Sequence, residues 1–130
     1  MYHVKYAPTI ITLCGSTKFK EAYQFMNAFL TMKGHLVFSV AMWSHADKDG
    51  WEPSPQQKLH LDRVHFSKIL VSSEIIVLDV NNYVGTSTMA EIQWARLHGI
   101  TVKYLLADFP KWEVWKKDFE HTMRVAVPQS

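Results

Sequence analysis

The chain has 130 residues, 48% hydrophobic and 20% charged, which suits one soluble globular domain around a single core. Its net charge of +2 comes from scattered basic residues, with no block that would point to a nucleic-acid polymer as partner. One cysteine excludes an internal disulfide, MYHVKYAPT lacks a secretion-signal pattern, and no apolar run reaches the roughly 20 residues of a membrane span, so a cytoplasmic protein is expected.

TIITLC (9–14) is a β-branched run that ends at Gly15 and reads as a buried strand. Residues 16–34 read as a helix. Phe19, Tyr23, Met26 and Leu30 recur at helical spacing, Ser16 or Thr17 caps the start, and Gly34 ends it. HLVFSV (35–40) is the second strand. Residues 41–55, with two tryptophans, a glycine and two prolines, form a long loop of the kind used as a lid. Residues 56–73 read as a helix on which Asp62 and His65 share a face. EIIVLDV (74–80) is a third strand with Asp79 near its C-terminal end, and NNYVG is a turn. Residues 86–98 are a helix stopped by Gly99, and ITVKYLL (100–106) is a fourth strand. Pro110 opens a last helix with Trp112, Trp115, Phe119 and Met123 on one stripe.

Strands alternating with helices predict an α/β fold with a parallel sheet covered on both faces, its first four strands in the order 2-1-3-4. Ligands of such sheets bind at the C-terminal strand ends, near the point where the strand order reverses. That edge collects the CGSTK loop, the long loop, Asp79 and the GTSTMAE turn.

Two readings fit CGSTK. It is a tight turn with an ordinary helix cap, or it is an anion or sugar site in which Ser16, Thr17 and Lys18 add donors and charge to a helix N-terminus. Two readings also fit Thr88-Met89-Ala90-Glu91. As a capping box, Thr88 caps the helix and Glu91 reaches back to it. As a site, Glu91 is a carboxylate nucleophile one turn into a helix, Gly85 admits a ligand to the backbone, and Ser87 is a phosphate donor. Asp62 is either a solvated partner of Lys58 or, with His65, an acid facing the cleft. His45, Asp47, His60 and His65 match no zinc spacing, and Cys14 reads as a small buried hydrophobe, so no metal or cofactor is expected.

ITLCGSTKFKEAY, GHLVFSV, LDRVHFSKI and IIVLDVNNYVGTSTMAEIQWARLHGITVKYL run in order over about residues 9–106. Together they resemble the nucleoside 2-deoxyribosyltransferase-like family, most of all its small bacterial and phage members, which read CGSTRFK at the first loop and GYIGESTRSEIEYAK at the second. The resemblance implies a flavodoxin-like (Rossmann-like) three-layer sandwich with a parallel sheet of four or five strands. It implies cleavage of the N-glycosidic bond of a deoxynucleoside or nucleoside 5′-monophosphate. A helix-borne glutamate attacks C1′, and water or a second base takes the glycosyl group. Glu91 matches that glutamate, Gly15, Ser16 and Lys18 match the phosphate-holding residues of the first loop, and Ser87 matches the donor in the second.

Departures are specific. The aspartate that transferases carry shortly before the glutamate is absent from Tyr83-Val84-Gly85-Thr86, and Thr86 and Met89 replace the Glu and Arg of small members. Asp62, or else His65, is the candidate acid for base departure. Trp43, Trp51 or Tyr83 is placed to stack on the base. The expected partner is a small nucleotide or nucleoside, with no membrane and with self-association into at least a homodimer through the aromatic last helix and Trp94. A non-catalytic nucleotide-sensing domain of the same fold is the alternative.

Overall fold

The structure, a computed structural model, describes residues 8–40 and 52–126, and side chains within that range up to residue 121. Trp43, His45, Asp47, Trp51 and most of the expected lid lie outside the described residues. In chain order the elements are β1 (Ile10–Cys14), α1 (Lys20–Met32), β2 (Leu36–Phe38), α2 (Pro55–Leu70), β3 (Glu74–Val77), a 3-10 turn (Val80–Asn82), α3 (Thr86–Leu97), β4 (Thr101–Tyr104), a single helical turn α4 (Leu105–Asp108) and α5 (Trp112–Ala126). The four strands are parallel in the order β2-β1-β3-β4, as expected. The reversal of strand order lies between β1 and β3, where Cys14 is in register with Val77.

The period-two alternation of strand side chains builds two cores. Ile11, Leu13, Ile76 and Leu78 point to one face and pack with Ala22, Tyr23, Phe25, Met26 and Leu30 of α1 and Trp112 of α5. Cys14, Ile75 and Val77 point to the other and pack with Ile69 of α2 and Ile92 and Ala95 of α3. Thr12, buried on that second face, is satisfied by Ser72 Oγ at 2.6 Å and the Lys68 carbonyl at 3.2 Å.

The first helix starts later than the sequence suggests. Ser16 to Phe19 form a turn closed by the Phe19 N–H on the Ser16 carbonyl at 3.1 Å, so neither Ser16 nor Thr17 caps α1. Strands are shorter than their apolar runs: Leu105 is buried past the end of β4, and Leu78, just past β3, is buried with its N–H still donating to the Cys14 carbonyl at 2.8 Å. The last helix starts at Trp112, not Pro110. Its aromatic stripe belongs to the core: Trp115 stacks on Phe29 at 5.2 Å, and Trp112 and Phe119 each lie 6.3 Å from Phe25. Trp112 is buried, and Trp115 and Phe119 are partly buried against the same core.

Candidate active site

β1 delivers the chain to the reversal point and Gly15 turns it. Gly15 has φ +152°, and a Cβ there would lie 3.2 Å from both Cβ and the carbonyl oxygen of Leu78, so only glycine lets the loop cross so close to the end of β3. The Tyr23 hydroxyl donates to the Gly15 carbonyl at 2.7 Å and fixes that crossing. Ser16 Oγ accepts from the Lys18 N–H at 3.3 Å. Thr17 Oγ1 is buried without a hydrogen-bond partner among the described residues.

The second loop comes from β3. Asp79 is a brace here: its carboxylate accepts from the Leu106 N–H at 3.1 Å and ties this loop to α4. Asn81 and Asn82 take positive φ of 56° and 62°, a region that asparagine tolerates, and swing the chain outward to Tyr83. The Tyr83 ring closes the gap between the loops. Lys18 Nζ sits 3.6 Å from its centroid, and Phe19 meets it edge-on at 5.9 Å.

Gly85 is the N-cap of α3 and makes no side-chain cap bond. Thr88 therefore lies inside the first turn, buried, and is not a cap. The capping-box reading of Thr88 and Glu91 is thereby corrected: Glu91 lies in the second turn, too far along for that role. Ser87 is exposed at the open helix end. The N-terminus of α1 at Phe19 also lacks a side-chain cap, whereas α2 is closed by a reciprocal Ser54–Gln57 capping box with Pro55 in the first turn.

Glu91 faces His65 of α2 across the second core, with Glu91 Oε2 3.2 Å from His65 Nε2 and the side chains 14% and 11% exposed. Cys14 Sγ lies 3.5 Å from the same Nε2. One ligand atom from each of the three residues falls within 4.8 Å of the others. Glu91 Oε2 is itself buried and has no aligned hydrogen bond, although it sits at ion-pair distance from the imidazole. Burial first, and then the Glu91 charge, push the Cys14 thiol well above its ordinary range. Burial likewise raises the Tyr23 phenol, helped by the charges of Cys14 and Glu91.

The structure thus brings His65 to Glu91 but not Asp62. The Asp62 carboxylate is 46% exposed and pairs with Lys58 at 3.0 Å, the solvated arrangement. Cys14 is buried in the core, as its place at a strand end suggested, and the structure adds its contact with His65. A depression of about 360 Å³ against Gln56, Gln57, His60 and Leu61 shares no lining residue with this cluster.

No protein-family model matches the chain, and no curated protein matches it.

Proposed function

We propose that the protein cleaves, or transfers across, the N-glycosidic bond of a small nucleotide or deoxynucleoside, with Glu91 as nucleophile. One observation carries the reading: the single carboxylate of the GTSTMAE segment lies against His65 with Oε2 buried, on α3, whose N-terminus, like that of α1, no side chain seals. A carboxylate beneath C1′ stabilises an oxocarbenium-like transition state and then closes the covalent intermediate. The departing base leaves from the face opposite the attacking oxygen. His65, at 3.2 Å from the carboxylate, is therefore a positioning residue for Glu91 rather than the acid that helps the base leave.

The 5′-phosphate sits over Ser16, Thr17 and Lys18, with Ser87 and the first-turn N–H groups of α3 as further donors. Lys18 must leave Tyr83 to reach it. An exposed cation–π contact is worth about 0.5–1 kcal/mol, against about 1.5–3 kcal/mol for a charge-assisted hydrogen bond, so phosphate outcompetes the ring.

The alternative is a nucleotide sensor of the same fold. Asp62 favours it, because the acid expected to assist base departure is tied to Lys58. Incubation with a panel of nucleosides and 5′-monophosphates, followed by chromatography for free base, separates the two. The glycosidase reading expects free base from at least one of them. Saturable binding with no base released from any would replace it with the sensor.

A further inference from the structure

Cys14, His65 and Glu91 are 51 and 26 residues apart in succession, yet β1, α2 and α3 bring a thiol, an imidazole and a carboxylate to one point. We propose that they bind one thiophilic divalent cation of the zinc class, and that the loaded site withholds Glu91 from chemistry.

The geometry carries the proposal. Zinc lies about 2.3 Å from sulfur and about 2.0–2.1 Å from nitrogen and oxygen, so tetrahedral angles set S···N at about 3.6 Å and N···O at about 3.3 Å. The observed separations are 3.5 Å from Cys14 Sγ to His65 Nε2 and 3.2 Å from His65 Nε2 to Glu91 Oε2. Both contacts converge on one nitrogen, so the thiol, the imidazole and the carboxylate face one common point. Glu91 Oε2 is buried on the third side of that point, facing the imidazole and near the thiol. A cation between the three atoms satisfies all of them.

The chemistry agrees. Sulfur with imidazole and carboxylate is a borderline-soft set that suits zinc rather than magnesium or calcium. On binding, the thiol proton passes to solvent, the metal–sulfur bond forms, and neutral His65 gives its Nε2 lone pair with its proton on Nδ1. The two anionic ligands cancel the +2 charge, so the buried complex is neutral. Three protein ligands leave one position open, as in sites where metal can exchange. Coordination occupies the lone pair that Glu91 would direct at C1′. This consequence rests on the glycosidase reading, whereas metal binding itself does not.

The test titrates metal-stripped full-length protein with Co²⁺, followed by Zn²⁺ competition, and reads the thiolate-to-cobalt charge-transfer absorption. One equivalent is expected to bring the band up and Zn²⁺ to remove it. His65→Gln and Glu91→Gln should each abolish or strongly weaken the band, with circular dichroism reporting folding so that either folded variant suffices, and Cys14→Ala, which removes the single thiol, supplies the blank. Absence of the band in the unmutated protein, or its persistence at full strength in a folded His65→Gln or Glu91→Gln variant, overturns the site. In the base-release assay, Zn²⁺ should inhibit and a chelator should restore turnover; undiminished turnover at saturating Zn²⁺ overturns the withholding role. If metal-free protein releases no base from any substrate, the glycosidase reading fails by itself, and the cobalt band alone decides the metal site.

Discussion

Glu91 and Lys18 answer different questions about the same cleft. Glu91→Gln keeps the volume beside His65 but removes the charge that would meet C1′. Base release should drop to near background while nucleotide binding stays within about tenfold, and stability should change by about 1 kcal/mol or less. Parallel mild losses in activity and stability would return Glu91 to a packing role. Lys18→Ala reads the phosphate instead. It should weaken a 5′-monophosphate by roughly 10–100-fold, the equivalent of a charge-assisted contact of about 1.5–3 kcal/mol, and barely alter its nucleoside. Equal effects on both ligands, measured by calorimetry, would leave Lys18 as the partner of Tyr83 only. At this scale the sequence was informative where chemistry is local. Glu91 stood out as the one carboxylate in its segment, and Lys18 as the charge in its loop. The T-x-x-E spacing misled because it fits two helix registers, and the Gly85 N-cap selected the earlier one. Asp62 and His65 share a helix face, so periodicity could not say which meets Glu91. The contacts of Cys14 were hidden because its partners come from α2 and α3, a relation that exists only after the sheet is assembled.

At the scale of elements, the three helices that reach the functional edge end differently there. α2 begins with Ser54 Oγ accepting from the Gln57 N–H at 3.2 Å, while Gln57 Oε1 accepts from the Ser54 N–H at 2.8 Å. α1 and α3 carry no such closure. Sealing a helix is worth about 1 kcal/mol, so two unsealed ends are a cost that an anion would offset. Ser54→Ala should therefore lower stability by about 0.5–2 kcal/mol in urea unfolding and leave nucleotide affinity unchanged. A change in affinity without a change in unfolding midpoint would place Ser54 in the site instead. The alternation of strands and helices was plain from the sequence, and so was the parallel sheet. Element ends were not, because burial continues past the end of β4 at Leu105, and an apolar run records burial rather than pairing. Ser54 lies at the end of the stretch read as loop, and its cap becomes visible only once α2 is known to start at Pro55.

Across the whole molecule, the site and the fold share the same buried groups. Cys14 belongs to the core under α2 and α3, and Tyr23 to the core under α1, so the reversal point is where both cores touch the cleft. Each carries a proton that burial holds in place: the thiol is raised well above 9.0 and the phenol well above 10.0. The sign follows from proton counting. Above about pH 9 the unfolded chain releases the thiol proton while the folded chain keeps it, so the unfolded state binds fewer protons and stability falls as pH rises. The contribution is present in full below the ordinary thiol value and is lost upward from it, with a slope of at most about 1.4 kcal/mol per pH unit for each group. Urea unfolding of metal-stripped protein at about pH 7.5, 9, 10 and 11 should show a level midpoint at first and then a decline that steepens once the phenol of the unfolded chain also titrates. Cys14→Ala should flatten the segment between about pH 9 and 10. Tyr23→Phe should flatten the segment above about 10, at the cost of about 1 kcal/mol throughout for the lost hydrogen bond to Gly15. A midpoint that stays level to pH 11 in the unmutated, metal-stripped protein would mean that neither proton is held by the fold. The cluster would then be open to solvent, and Glu91 would lack the water-poor setting in which a carboxylate acts on C1′.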